Sequence, residues 1–467
     1  MNTLWNANRR TCLLSISIAI LSTAPLTASR IRIDGDFADW KDVGISARDP
    51  KGDAKGAFDV SQVFVTSQDS MLYLRFDVGR VLNIQNGPES EGTLFVLIDL
   101  PNKQQLRLDT RGRRATLNDD SEERIPWAHL KYVVGPTYAQ DEFELQVDLS
   151  RFSVGLGDSV SVQFEGSDQL YSPLVHTFTQ SSGKPKHRSA DRLPGTDVRI
   201  VSFNTYVNGL SDPNRATKIG RMLKAADGDV YCFQEEWESN AIDKIMNRLT
   251  LLDSLGQRYV HKVRGNVITS KHPLKILPSR NGNYAAAMLN LKGKSLVVMS
   301  VHLSAMGYIG SKEDLWRIEQ AKVILDAVEE INKGTYDDAD GPSTKPSIVM
   351  IGDFNLVGSR TPVDLLINQK SSGLNDWRLP NLVGESIITW RGGPRSSFSP
   401  GKLDYCLYTS DTLTRKNGFV LNSELLDPSE LKQLALRSTD SEVSDHLMAV
   451  ADFQFAPVGG SRSGPDD

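Results

Sequence analysis

Residues 350–358, MIGDFNLVG, carry an apolar run straight into an aspartate and an asparagine separated by one phenylalanine. In an extended strand, side chains two apart emerge on the same face. Asp353 and Asn355 therefore share one direction and Phe354 takes the other. A turn alone would explain the pair, since Asp and Asn are common turn formers. The same event recurs along the second half of the chain, however. Apolar runs deliver Asn204 in FNTY, Gln234 and Glu235 in FQEE, and His302 in VHLS. A further run holds Asp404 in LDY, and Ser444, Asp445 and His446 stand just before the last one. Each has an ordinary reading as a solvated strand end, a satisfied core histidine or a turn. Six such sites at strand ends exceed what turns require, and active sites of layered α/β folds sit at these ends.

The set suits hydrolysis of a phosphodiester. A divalent cation neutralises charge that develops on the phosphoryl oxygens, and hard oxygen ligands suit Mg²⁺ or Mn²⁺. Glu235 is the first ligand candidate, with Asp445 helping directly or through water. The attacking water must be oriented and deprotonated. Asp353 is placed for that task, and Asn355 on the same face can hydrogen-bond a phosphoryl oxygen. His446 with Asp404 makes an imidazole held by a carboxylate, the arrangement that suits histidine to acid or base work near neutral pH. These residues leave open whether Asp353 or His446 is the base.

The elements that must carry these groups alternate. VRIVSFNTY, DVYCFQEEW, KSLVVMSVHLS, SIVMIGDFN, KLDYCLYTS and HLMAVADFQF read as strands apolar on both faces. Between them, NRATKIGRMLKAA places Ile219, Met222, Leu223 and Ala226 on one helical face, and AIDKIMNRLTLL reads as a second helix. EDLWRIEQAKVILDAVEEI is a third, with Leu315, Ile318, Ala321, Leu325 and Val328 in register. Strands of this kind interleaved with helices imply an α/β fold in which helices cover the sheets.

In order along the chain, FNTY, QE, GNVITSKHP (265–273), VHLS, GDFN, LDY and SDH resemble the motifs of the endonuclease/exonuclease/phosphatase superfamily. That DNase I-like group holds nucleases, apurinic endonucleases, inositol-phosphate phosphatases and bacterial sphingomyelinases. The resemblance spans residues 197–456. It implies a four-layered α/β sandwich with two mixed sheets face to face and helices outside, and phosphate contacts from Asn204 and His302. Lys402 stands before Leu403 and Asp404 where relatives often carry Arg or Ser, which implies altered substrate contacts with the dyad kept.

At 467 residues the chain is long for one core, so two domains are expected. A hydrophobic content of 39% with 24% charge marks a globular rather than a disordered chain. The net charge of −5 excludes a broad basic footprint for coating nucleic acid, while leaving room for an enzyme with one basic cleft. Residues 1–28 run from Arg9 and Arg10 through an apolar stretch to small residues ending at Ala28. This is the layout of a secretory signal peptide, with an uncleaved anchor as the competing reading. The Arg pair weakly suggests twin-arginine export, though its flanking residues fit that signal poorly. A secreted or periplasmic protein with no integral membrane segment after cleavage is expected. Cys12 would leave with the signal. Cys232 and Cys406 lie in apolar runs and are expected to be buried free thiols, with no disulfide framework.

Residues 31–178 read as an all-β sandwich, from short strands such as VSQVFVTS, MLYLRFDV, GTLFVLIDL and FELQVDLS. IDGDFADW, with Asp34-Gly35 and Trp40, and the strand pair that follows are similar to carbohydrate-binding modules of the family 9 type. That similarity implies a carbohydrate or another surface ligand. Asp49 and Asp53 in DPKGD offer ligands for Ca²⁺, against the plainer reading of a solvated acidic turn. Residues 179–196, polar and rich in Ser, Gly and Pro, read as a linker. Few contacts should cross it, so the catalytic half should work alone. Residues 197–456 form the endonuclease/exonuclease/phosphatase-like domain, and 457–467 a disordered tail.

The functional expectation is an exported metal-dependent phosphoesterase, most simply one that cleaves phosphodiesters of nucleic acid. A sphingomyelinase-like enzyme acting on a phospholipid headgroup, or an inositol-phosphate phosphoesterase, competes within that class. A non-catalytic binding protein on the same fold is the alternative outside it. The intact set of Glu235, Asp353, Asn355, Asp404 and His446 argues against the last. Substrate choice is expected in the loops after His302 and before Asp404.

Overall fold

Alternating buried apolar and exposed polar side chains give the N-terminal half the period of half-buried strands. The computed structural model describes residues 31–111, 114–118, 124–181, 186–238, 258–334, 336, 345–392 and 398–457. In it, Gln62–Gln68, Met71–Leu82 and Gln140–Asp148 pair inside a five-stranded antiparallel sheet. A six-stranded sheet built around Leu94–Asp99 and Ser159–Gly166 belongs to the same half. Phe76, Leu74 and Phe143 from the first and Val96, Ile98 and Phe164 from the second share one core. This half is all-β, as its strand spacing predicts.

The second half is α/β in four layers. One six-stranded sheet sets Val198–Asn204 parallel to Val230–Gln234, with Asn266–Ser270 and Met448–Phe455 antiparallel on either side. The other sets Lys294–His302 parallel to Ser347–Asp353, flanked by antiparallel Tyr284–Leu291 and Asp404–Thr409. Ile200, Val230, Cys232, Val298, Val349 and Ile351 fill the space between the sheets. Helix Ala216–Ala226 covers the outer face of the first sheet, burying Ile219, Met222, Leu223 and Ala226 as the periodicity predicts. Helices Lys312–Asn332 and Thr361–Ile367 cover the second. Central strands are therefore buried on both faces, which is why they read as continuous apolar runs. Together these layers form the four-layered α/β sandwich that the motif resemblance implies.

The long helix corrects one expected register. Leu315 is exposed and Ile318 and Leu325 are only partly buried, whereas Arg317, Ala321, Ile324, Val328 and Ile331 face inward. Its first turns explain the rotation. Ser311 caps the helix, and buried Arg317 donates to the carbonyls of Ser304 (2.8 Å) and Met306 (2.6 Å). Polar ties to the loop after His302 set the helix here, and apolar burial takes over only further along.

The helix expected at 241–252, the signal segment with Cys12, and residues 458–467 of the expected tail lie outside the described residues. Cys232 and Cys406 are both free and buried. Among the described residues no helix is long and apolar enough to cross a membrane.

The expectation that few contacts join the halves is not met. Part of the linker segment is fastened to the catalytic half: Arg188 donates to the Asn381 carbonyl (3.0 Å), and Arg192 pairs with Asp229 (2.6 Å). The halves also meet directly. The Ala139 amide donates to the Gly358 carbonyl (2.7 Å), Thr137 to the Leu356 carbonyl (2.8 Å), and Arg378 pairs with Asp36 (2.9 Å). These are polar contacts between turns, a kind that leaves no trace in hydropathy.

Candidate active site

Strand register explains why the polar residues converge. His302 pairs with Asp353 across the parallel ladder, and Asp353 pairs with Asp404 across the antiparallel one. Three polar side chains thus stand at one level, separated by the inter-strand spacing of about 4.8 Å. In the facing sheet Asn204 pairs with Gln234, and Glu235 follows immediately. Packing of the two sheets brings these rows together. Asn204 Nδ2 donates to Glu235 Oε1 and to Asp353 Oδ2, both at 3.1 Å.

Asp353 is the hub. Its Oδ1 accepts from the Asn355 backbone N–H and its Oδ2 from Asn355 Nδ2, each at 2.9 Å. His446 Nε2 lies 3.5 Å and His302 Nε2 3.7 Å from that same Oδ2. On its other side, His446 Nδ1 meets Asp404 Oδ2 at 2.8 Å. The carboxylate–imidazole pair expected from LDY and SDH is formed, and its imidazole spans two carboxylates. Asn355 behaves differently from the expected phosphate contact. Its amide nitrogen is spent on Asp353 and on the Leu303 carbonyl (3.1 Å), so it orients the hub. The Asn204 amide nitrogen is likewise spent within the site. His302 packs its ring against Trp237, with centroids 5.7 Å apart.

Electrostatics follow from this crowding. Burial pushes the Asp353 carboxyl up to about 7, with His446 opposing the rise and Asp404 adding to it. Burial alone would lower His446, but the Asp404 and Asp353 carboxylates overcome it and raise the imidazole to about 10. His302 is lowered, by burial first and by the charge of His446, with Glu235 opposing. Near neutral pH, therefore, His446 is cationic while Asp353 stands close to its titration point.

Glu235, Asp353, Asn355, Asp445 and His446 all line one pocket of about 210 Å³. Backbone strain gathers around it. Among the described residues, fifteen non-glycine residues have positive φ, and six of these are Tyr206, Val207, Asn208, Glu235, Met306 and Asn355. A β-branched residue such as Val207 is a true outlier there, and such strain persists where surrounding structure imposes it, as at functional sites.

A divalent cation fits the donor set. Mg²⁺ takes one or two carboxylates and keeps several waters. Glu235 and Asp445 supply two pocket-lining carboxylates, and Asp445 Oδ2 is steadied by Trp390 Nε1 (3.3 Å). Glu235 accepts single hydrogen bonds from Asn204 and from the Val207 N–H (2.9 Å), which leaves lone pairs for a cation. Glu235→Gln keeps the size and removes the charge, so Mg²⁺ affinity should fall at least tenfold with the melting temperature kept. Titration calorimetry showing unchanged affinity would remove Glu235 from this role.

Sequence reasoning missed several supports. Buried Glu236 accepts from Thr205 Oγ1 (2.6 Å) and the Leu210 N–H (2.8 Å), tying down the strained segment beside Glu235. The doubled acid in QEE was its only signal. Thr389 Oγ1 accepts from the Leu403 and Asp404 amides at 3.0 and 2.8 Å. Ser444 Oγ donates to the Asn204 carbonyl (2.7 Å) and accepts from the His446 N–H (3.1 Å). Isolated hydroxyls carry no pattern that a sequence displays. Lys402 turns away from the site, to Asp376 Oδ2 (2.9 Å) and over the Tyr405 ring (4.0 Å). In the N-terminal half, Asp49 and Asp53 are joined by Asp168, with one oxygen from each within 4.8 Å of the others.

A carboxylate hub and an imidazole–carboxylate pair at strand ends of this sandwich define a hydrolase of phosphoric esters. Residues 201–446 match the Endonuclease/Exonuclease/phosphatase family, and the chain belongs to that family. No curated protein matches the sequence. Among solved structures, TDP2 from D. rerio in complex with a single strand DNA product is 17% identical, over 55% of this chain and 98% of that one, with TM-score 0.38. An endonuclease/exonuclease/phosphatase family protein from Leptotrichia buccalis is 15% identical, over 55% and 100%, with TM-score 0.37. A beta toxin mutant from Staphylococcus aureus with bound magnesium ions is 20% identical, over 55% and 99%, with TM-score 0.35. The family match lies within the second half, and none of these comparisons extends the resemblance of residues 31–178 to carbohydrate-binding modules.

Proposed function

We propose that this protein is an exported, divalent-cation-dependent phosphodiesterase that admits one compact phosphodiester group at a time. The observation that carries this reading is the buried Asp353 carboxylate, set 3.5 Å from the His446 imidazole that Asp404 holds in place. A divalent cation held by Glu235, with Asp445 directly or through water, would neutralise charge on the phosphoryl oxygens. Asp353 Oδ2 takes the proton of the attacking water. His446 Nε2 stabilises the developing negative charge and can return a proton to the leaving oxygen. Asn204 and Asn355 hold Asp353 in position, and His302 faces the phosphoryl group from the other side of the hub.

The pocket wall favours a compact substrate over a long strand. Polyanionic chains are gripped by several cationic side chains. No Lys or Arg is among the described residues lining this pocket, where Ala305, Met306, Val357, Trp390, Phe398 and Leu403 form an apolar wall. A phospholipid headgroup diester or a small nucleotide diester matches that lining. Nucleic acid strands are the second reading, supported by half-exposed Tyr206 and Trp237 beside Glu235, whose rings offer stacking faces for bases.

A panel of bis-p-nitrophenyl phosphate, sphingomyelin, inositol phosphates, RNA and plasmid DNA, each with Mg²⁺ and with EDTA, tests this. Cation-dependent hydrolysis should be faster on a compact diester than on plasmid DNA. The reverse order favours the nucleic-acid reading, and inactivity in every arm favours a binding protein. Export rests on residues 1–28, and mature protein recovered outside the cytoplasm should begin beyond them.

The Asp49–Asp53–Asp168 cluster supports a separate Ca²⁺ site. Asp49 is buried with Oδ2 lacking a partner among the described residues, and burial pushes Asp168 upward, with Asp49 and Asp53 adding to the rise. Ca²⁺ should raise the melting temperature of the full chain by several degrees, on the scale of roughly 1–2 kcal/mol of linkage. Asp168→Asn should abolish the shift. A shift that survives in Asp168→Asn places the ion elsewhere.

A further inference from the structure

We infer that the N-terminal β domain is a working wall of the active site and that Gln85 is its substrate-facing donor. The inference rests on the phosphodiesterase reading and adds to it a residue that the family-matched segment does not contain. Directly after strand Met71–Leu82, the chain reaches across to the catalytic half. Asn83, almost fully buried, donates from Nδ2 to the Val357 (2.9 Å) and Gly358 (3.2 Å) carbonyls and accepts from the Ile309 N–H (2.7 Å). Asn86 Nδ2 donates to the Gly307 carbonyl (2.9 Å), and Gln85 Oε1 accepts from the Ser399 N–H (2.8 Å). Three side chains thus hold the loop after His302, the turn after Asn355 and the approach to Asp404. Arg111 braces them from behind, donating to the carbonyls of Asn83 (3.1 Å), Pro88 and Gly92 (both 3.0 Å).

Gln85 and Asn86 line the same pocket as Glu235, Asp353 and His446, together with Thr137 of the same domain. Gln85 is 7% exposed. A backbone N–H can meet only the amide oxygen, so the bond from Ser399 fixes which way the Gln85 amide faces. Its Nε2 then has no hydrogen-bond partner among the described residues and is left for the pocket. A side-chain donor that lines the pocket and meets no protein acceptor among the described residues is available to a group bound there. Beside a site for an anionic ester, the oxygen of the phosphodiester is the group it fits. The N-terminal domain therefore fixes the two loops that shape the pocket and adds one hydrogen bond to the substrate.

The test uses the full-length protein, Mg²⁺ and bis-p-nitrophenyl phosphate. Gln85→Glu keeps an oxygen for the Ser399 N–H and turns the free donor into a carboxylate oxygen facing an anion. KM should rise roughly tenfold or more, the size of one lost hydrogen bond to a charged group, with kcat changed less than about threefold. Its fold should be kept, as circular dichroism reads, with a modest fall in melting temperature from the carboxylate placed beside Asp353 and Glu235. Gln85→Met, which loses the Ser399 bond as well, should show a similar KM with a lower melting temperature. Wild-type KM in both variants overturns the role of Gln85, as does a loss confined to kcat. A wild-type protein that hydrolyses no phosphodiester overturns the phosphodiesterase reading and this inference with it, whereas an active wild type with unchanged variants leaves that reading standing.

Discussion

His446→Ala is expected to lower kcat by roughly 10²–10⁴-fold, the usual yield of general acid–base catalysis. Asp404→Ala should lose a comparable factor, and the double variant little more than the worse single one. Residues that serve one step are strongly non-additive. Both side chains are buried, and the 2.8 Å bond between His446 Nδ1 and Asp404 Oδ2 fixes the imidazole so that Nε2 faces Asp353. Without Asp404 the ring loses both its anchor and the charge that keeps it protonated. In the competing account, Asp404 merely ends its strand and His446 merely begins the next. That account gives small rate losses that multiply and a lowered melting temperature in each variant. Rates and melting temperatures of the three variants separate the two. Multiplicative losses, or full activity in either single variant, would sink the dyad.

The hub was legible as a polar break at a strand end, but not through the strand period. The strand stops at Asp353, and Asn355, with positive φ, bonds back to it as a turn residue, while Phe354 is buried on the helix side of the sheet. Asp404 and His446 were legible as polar breaks in apolar runs, and packing of the two sheets brought them into contact. Other features were not legible, because they depend on where turns land after folding. Asn83 and Gln85 sit in an unremarkable turn, yet they reach Val357 and Ser399 across the domain boundary. Asp168 joins Asp49 and Asp53 only once two sheets are stacked. The rotation of the long helix was misread because apolar periodicity cannot show that a buried Arg317 is tied to the loop carbonyls of Ser304 and Met306. The role of Asn355 shifted from substrate contact to support because both its neighbours are acceptors within the site. Pattern thus located the reacting groups, while the polar contacts that orient them left no period to read.

Asp353→Asn should cost still more, on the order of 10³-fold or beyond in kcat, because it removes the proton acceptor and the partner of two histidines at once. Asparagine matches the size of the carboxylate. It cannot take a proton, and its amide N–H₂ would confront the donors of Asn204 and Asn355. The pH profile makes the assignment specific. A base works when deprotonated, so raising Asp353 to about 7 moves the acid limb of kcat/KM up toward neutrality. A divalent cation favours the ionised form and draws that limb down again. His446 works when protonated, so raising it to about 10 keeps the enzyme active well into the alkaline range. The wild type should therefore show a bell with limbs at or below about 7 and near 10. In Asp353→Asn the acid limb should vanish from the residual rate. Its alkaline limb should move to lower pH, because one of the two carboxylates that raise His446 is gone. Thermal stability should fall too, because the Asn204 and Asn355 donors lose their acceptor and His446 loses one of its two carboxylates, so the missing acid limb and not the melting temperature reads the base. An acid limb that persists unchanged in Asp353→Asn would move the base to another residue.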